Sequence, residues 1–370
     1  MKKFYSNFSV TILIVTFFIT SAATAQLDFL PRGSQKAKVS QRIGNTDVTI
    51  IYSRPSVNGR EVWGTLVPYG MNNLGFGTAT ESPWRAGANE NTIFNTTHDL
   101  TIGGKALPAG KYGLHIIVND DNTATIIFSN NSGAWGSYFY DPTEDALRVD
   151  VETEEIPHVE QLTYSFDDVT GNSAMVSLKW EKKQIPFKIE VDVSQNVLTE
   201  IRQQLETSPG FNRQSWEQAA NFALNNGGDL DEALNWIDAA IEGQFFSEKT
   251  FNNLSIKAQI LAKQGKTAEA DAVMEEALPL ANVLQVHGYG RQLIAQGKKD
   301  KALEIFKWNA KNHKNTWPVD FGLARGYSAV GNYKTALKHL KIAAGRAPNQ
   351  PNKDAIAAGI SNLQEGKDIN

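Results

Sequence analysis

The chain carries two hydrophobic periods, one after the other. Between residues 27 and 193, β-branched and aromatic residues run in short stretches: Asp47 to Ser53, Tyr112 to Val118, Thr123 to Ser129, Val159 to Phe166, Ser173 to Trp180 and Phe187 to Val193. Turn-forming clusters such as Gly103-Gly104, Asn119 to Asn122 and Asp168 to Asn172 bound them and predict hairpins. Met175, Ser177 and Lys179 alternate with Val176, Leu178 and Trp180, which gives one wet face and one buried face. Such alternation predicts an antiparallel β-sandwich or barrel-like domain over 26–193 rather than a parallel α/β sheet.

From residue 194 onward the period lengthens to that of a helix. Val197, Leu198, Ile201 and Leu205 fall on one face of a connecting helix or linker over 194–212, closed by Pro209-Gly210. Beyond it a pair of small residues recurs five apart: Gly228 and Ala233, Gly265 and Ala270, Gly297 and Ala302, Gly331 and Ala336. The glycines lie 37, 32 and 34 residues apart, the period of a stacked helix-turn-helix array. Gly closes each turn because it takes positive φ without steric cost, and Ala lets the paired helix approach closely. Leu224, Leu261, Leu293 and Tyr327 precede the glycines by four residues; Ala258, Gly290 and Ala324 precede the last three by seven. This order resembles the tetratricopeptide repeat, most fully over Leu323 to Pro348. The first unit departs with Asn221 at a small position, the third with Asn309 for the late Ala and Lys314 for the closing Pro. The pattern predicts four repeats over 213–350, an α-helical solenoid, with a capping helix and tail over 351–370 marked by Ile356, Ile360 and Leu363.

The N-terminus bears on compartment. Lys2 and Lys3, the apolar run Val10 to Thr20 and the small-x-small site Ala23-Thr24-Ala25 predict a signal peptide over 1–25. A periplasmic or secreted bacterial protein follows, with no stable membrane insertion after cleavage. The sequence holds no Cys, so both domains must stand on their cores without disulfides. Residues 26–195 carry 14 basic and 21 acidic residues and residues 196–370 carry 20 and 19, so neither half suits nucleic acid. The acidic run Asp150, Glu152, Glu154, Glu155 and Glu160 alternates with Val151, Thr153 and Ile156, as the solvated face and end of a strand would.

Polar motifs gather in one irregular stretch of the β-region. Arg54-Pro55-Ser56-Val57-Asn58-Gly59-Arg60 leads to Trp63-Gly64, Leu66-Val67-Pro68-Tyr69-Gly70 and Trp84-Arg85-Ala86-Gly87-Ala88-Asn89-Glu90. With Ile102-Gly103-Gly104-Lys105, Leu107 to Tyr112, Trp135-Gly136 and Phe166-Asp167-Asp168-Val169, they resemble the secreted bacterial family known as domain of unknown function 2911. The family usually runs from Val-Pro-Tyr-Gly almost directly into Trp-Arg, whereas here Met71 to Pro83 intervenes, a loop placed to modify or cover a site. The resemblance brings no activity with it.

Residue chemistry gives a candidate ligand site nonetheless. Arg54, Arg60 and Arg85 offer fork-shaped donors for a small anionic ligand or a sulfated sugar, and Trp63, Tyr69, Trp84 and Trp135 a flat apolar floor for a sugar ring or side chain. Asn89 and Glu90 complete the set. The same arginines and tryptophans also suit a structural task, pinning a long loop and filling a sandwich end. Six histidines, His98, His115, His158, His287, His313 and His339, show no metal-ligand spacing, and His115 on its strand reads as a packed residue. There is no Gly-x-Ser-x-Gly elbow, and Gly75-Phe76-Gly77 lacks the third Gly of a phosphate cradle. No catalytic residue, metal or cofactor is therefore assigned. The expectation is an exported, non-enzymatic binding or scaffold protein that meets a protein partner through its repeats and a ligand or second partner through its β-domain. The alternative is a secreted hydrolase of glycan or peptide, using Glu90, Asp99 or His98 near the arginines. Geometry separates the two: the hydrolase needs Arg54, Arg60, Arg85 and Glu90 around one open cavity.

Overall fold

The structure, a computed structural model, describes residues 31–243, 245–314 and 316–370. The expected signal peptide and its cleavage site lie outside the described residues.

Ten strands build the first domain: β1 (Gln35–Ile43), β2 (Thr46–Arg54), β3 (Thr92–Thr96), β4 (Leu100–Ile102), β5 (Lys105–Leu107), β6 (Gly110–Val118), β7 (Thr123–Ser129), β8 (Asp145–Glu152), β9 (Glu154–Asp167) and β10 (Ser173–Glu190). They form a six-stranded sheet ordered β1-β2-β3-β6-β7-β8 and a four-stranded sheet ordered β5-β4-β10-β9, with every strand pair antiparallel. The sheets share one core, in which Ile50, Phe94, Leu114 and Phe128 of the first meet Leu178, Trp180, Phe187 and Ile189 of the second. Phe128 and Phe187 bridge the layers with ring centroids 5.9 Å apart. Burying each such side chain stabilises the fold by about 1.5–3 kcal/mol. Neither sheet closes on itself, so the domain is a sandwich and the barrel alternative falls away.

Two strands expected at 173–180 and 187–193 are one long strand, β10. The polar stretch Glu181-Lys182-Lys183-Gln184 looked like a break in the sequence. In the fold it is an irregular stretch of pairing to β9, with Glu181 at φ 54°, after which the strand continues. Four strands had no expectation at all, namely β1, β3, β4 and β5, while the acidic run 150–160, expected as the solvated face and end of a strand, falls at the end of β8 and the start of β9. β1 is an edge strand, mostly solvated, and β4 and β5 are only three residues each, too short for a period to register.

Helix α1 (Val193–Leu205) follows β10 almost without a break, with Asp192 capping it by accepting from the Gln195 backbone N–H at 2.9 Å. It touches both domains. Asn196 Nδ2 donates to Thr46 Oγ1 at 3.3 Å and His98 Nε2 lies 2.9 Å from Glu200 Oε1, while Arg202 forks onto Glu232 with two bonds of 2.7 Å.

The remaining helices pair in order: α2 (Arg213–Asn225) with α3 (Leu230–Glu242), α4 (Phe251–Lys263) with α5 (Thr267–Ala277), α6 (Val283–Ala295) with α7 (Lys299–Asn312), and α8 (Trp317–Ala329) with α9 (Tyr333–Ala344). α10 (Gln350–Gln364) packs on α9 and closes the stack, its Ile356 and Leu363 buried. Ala233, Ala270, Ala302 and Ala336 are all buried between paired helices, as expected of contact points.

One register differs from the sequence reading. In the last three units the turn Gly takes positive φ, at Gly265, Gly297 and Gly331, and the next residue donates to the carbonyl five back. In the first unit that Gly is Gly227, at φ 76°, and Gly228 is the donor to Ala223 O. The first turn therefore holds one extra residue before Ala233. Counting from Gly227 puts buried Ala220, not exposed Asn221, at the small position, and Ala223 in place of Leu224 at the large one, so the first unit's departure moves rather than disappears. In the third unit Asn309 is a true exception: fully buried, it donates to Val283 O at 3.1 Å and meets His313 Nδ1 at 2.8 Å.

Candidate functional site

The irregular stretch 55–91 folds over one end of the sandwich and leaves a cavity of about 340 Å³. Loop ends are pinned by backbone pairs: Gly64 with Val67, Asn72 with Ser82, and Trp84 with Ile116 of β6. Ala86 and Asn89 adopt φ of 51° and 60°, a conformation L-residues enter at a cost, and this kink aims the Arg85 segment across the opening. The Ala86 carbonyl is fixed by Thr92 Oγ1 at 3.1 Å and Tyr164 OH at 2.9 Å.

Of the nine candidate residues, Arg60, Trp84, Arg85 and Asn89 line this cavity. Arg85 Nη1 donates to Asn89 O at 2.8 Å, and its guanidinium lies 4.9 Å from the Tyr138 ring centroid. Arg60 holds its own turn through Val57 O at 3.0 Å and Ser56 O at 2.5 Å. Trp63 stands edge-on to Trp84 and Trp180, and Trp84 stacks on Trp180 at 6.0 Å. Tyr69 is half-exposed outside the cavity wall.

The others point elsewhere. Arg54 binds the neighbouring strand β9 through Leu162 O at 2.9 Å and Thr163 Oγ1 at 2.6 Å. Glu90 and Trp135 line a second cavity together with Lys36 and Lys111, and Glu90 pairs with Arg32. Burial pushes the Glu90 carboxyl up, but its own backbone N–H and the Arg32 guanidinium outweigh burial and hold it below its ordinary value. Asp99 accepts from the Ala109 N–H at 2.7 Å, and His98 belongs to the α1 junction. The arginines and a carboxylate thus do not converge, and no Asp or Glu lines the cavity of Arg60 and Arg85 among the described residues.

Several lining residues carried no local signal. Trp180 comes from β10, about a hundred residues from Trp84, and Ser82 and Leu74 come from the inserted loop, which supplies part of the wall. Beneath the wall, His115 Nδ1 and Ser137 Oγ share a hydrogen bond of 2.9 Å, while Ser82 Oγ donates to Ser137 O. Burial, with Arg85 adding repulsion, lowers the His115 pKa to about 4, so the imidazole is neutral near pH 7. A neutral imidazole beside a hydroxyl is nucleophile–base chemistry; Ser137 reaches the cavity wall, while His115 lies buried behind it, outside the lining. The pair serves as a polar plug between β6 and the 133–140 loop.

A second concavity of about 290 Å³ lies in the helical array between α4, α5 and α6. Ser255 and Gln259 face it from α4, and Gln285, Gly288, Tyr289 and Gln292 from α6. Burial, with Asp271 adding to it, raises the Tyr289 phenol to about 12, so it stays a hydrogen-bond donor. Ser255 Oγ is buried without a partner, and a Cβ at Gly288 would meet nothing within 4 Å.

Residues 34–189 match the family described as Protein of unknown function (DUF2911). The matched stretch covers nearly all of the β-domain. The match ends inside β10, so the helices lie outside the DUF2911 region. Solved structures similar to this chain include YrrB, a TPR protein with an unusual peptide-binding site, at 16% identity over 45% of this chain and 84% of that one, with a TM-score of 0.30. The C-terminal part of a TPR repeat-containing protein from Cytophaga hutchinsonii is similar at 14% identity over 46% and 67%, with a TM-score of 0.35. No curated protein matches the chain. Among the described residues no helix is long and apolar enough to cross a membrane, and no group of three His, Asp or Glu could hold a metal ion.

Proposed function

We propose that this protein is an exported binding scaffold whose helical array docks an extended, largely uncharged polypeptide segment between α4, α5 and α6. The observation that carries the reading is the composition of that groove. Gln259, Gln285, Gln292 and Ser255 present both donors and acceptors, the complement of a peptide backbone, over a floor of Ala258 and Ala270. Among the described residues Asp271 is the one lining carboxylate, paired with Lys301, and Lys298 is the one lining cation, so a single charge is left to select an ionic partner. Export rests on the basic, apolar and small-x-small order of the N-terminus and on the lack of Cys. Full-length chain used to select peptides from a displayed random library tests the docking. Gly288→Trp fills the groove from a position where added atoms meet open space. Selected peptides should lose at least tenfold affinity for this variant; equal affinity for both chains would refute the groove as the docking site.

A further inference from the structure

We infer that the DUF2911 cavity is a receptor for a small organic carboxylate with an apolar body. This stands independently of the docking role proposed for the helices. The first support is an imbalance of hydrogen-bonding groups. Arg60 and Arg85 reach the cavity bonded only to backbone carbonyls, and no carboxylate lines it among the described residues. Trp180, itself 1% exposed, lines the same cavity with its Nε1–H buried and without an acceptor, and the Nε1–H of the adjoining Trp63 is in the same state. The hydroxyls of Ser82 and Ser137, which could have balanced these donors, are already engaged with Ser137 O and His115. Two guanidinium groups thus line the space without a counter-charge, with unpaired indole N–H groups in and beside its wall, and an acceptor-rich anion completes the guanidinium forks.

The second support is the wall itself. Leu66, Val67, Pro68, Leu74 and Trp84 supply an apolar share of the wall beside the polar one of Asn72, Ser82 and Asn89, and its volume of about 340 Å³ sits near the lower end for ligand pockets. Guanidinium forks suit a planar carboxylate, which two arginines lining one cavity can share. A bare phosphate would leave Leu66, Val67, Pro68 and Leu74 without an apolar partner. The DUF2911 domain is acidic as a whole, so this local reversal of sign also selects against indiscriminate anion binding.

The test uses the full chain with hexanoate and 3-phenylpropionate, their amides, and inorganic phosphate, read by ligand-observed NMR and calorimetry. Both acids should bind, with the amides at least tenfold weaker and phosphate weaker than either acid. Arg85→Met should reduce acid binding at least tenfold, and Arg60→Met severalfold. Arg60 is exposed and bonds only its own turn, so this second variant keeps the test valid even where Arg85→Met does not fold. Absence of binding by both acids, amides binding as well as the acids, phosphate binding more tightly than either acid, or unchanged acid affinity in a folded Arg60→Met chain would each overturn the assignment.

Discussion

At the scale of single residues, buried His115 and half-buried His287 make the clearest quantitative statement. Burial, the larger cause in each case, lowers both His115 and His287 from 6.5 to about 4. The unfolded chain therefore binds more protons than the folded one between about pH 6.5 and 4, and stability falls as pH falls through that window. Each histidine contributes a slope of up to about 1.4 kcal/mol per pH unit there. Urea midpoints of the sandwich and of the array should both decline from pH 7 to pH 5, and His115→Gln should flatten the sandwich's decline alone; a sandwich midpoint independent of pH would contradict the burial. Arg54 gives a second prediction. Its two bonds hold β2 to β9, so Arg54→Ala should cost about 1–3 kcal/mol in unfolding free energy, while carboxylate binding in the cavity stays as in the wild type. The sequence shows these residue types but not their partners. Arg54, Arg60 and Arg85 read alike along the chain, and only the packing of β9 against β2 separates the strand pin from the cavity pair.

Secondary-structure elements reveal why some of the fold was legible and some was not. Long periodic helices and strands such as β7 were readable because one face of each is continuously buried. β10 was misread as two strands because a bulge consumes the alternation at Glu181. The candidate cavity was half legible: Trp84, Arg85 and Asn89 lie in one motif, but Trp180 reaches it only through the pairing of long strands. The repeat spacing was legible to within one residue, and the slip at Gly227 has a consequence that can be measured. Gly227→Ala forces a Cβ into positive φ and should cost about 1–2 kcal/mol. Gly288→Ala, in a helix interior with open space around it, should instead gain about 0.5–1 kcal/mol. Thermal denaturation of the two variants should shift in opposite directions; a shared sign would show that the turn register assigned to the first unit is wrong.

Across the whole molecule, α1 is the element through which the sandwich and the array communicate. Its bonds to Thr46 and His98 on one side and to Glu232 on the other are few and partly solvated, worth about 0.5–1 kcal/mol each. Combined Asn196→Ala and Glu200→Ala substitution should therefore leave both cores intact while loosening their coupling. Calorimetry should show the separation between the two unfolding transitions widening by several degrees; an unchanged profile would mean that the chain connection alone sets the coupling.

The near-continuous passage from β10 into α1 also sets an order of assembly. During synthesis every strand of the sandwich has emerged before the first helix pair exists, so the non-local β-pairings can form without competition from the helices. Each later pair then needs only the one before it as a surface to pack on, with α1 as the first such surface. The sandwich thus acts as the starting block of the solenoid, and a truncation that removes α1 takes away the surface on which the first helix pair is laid down.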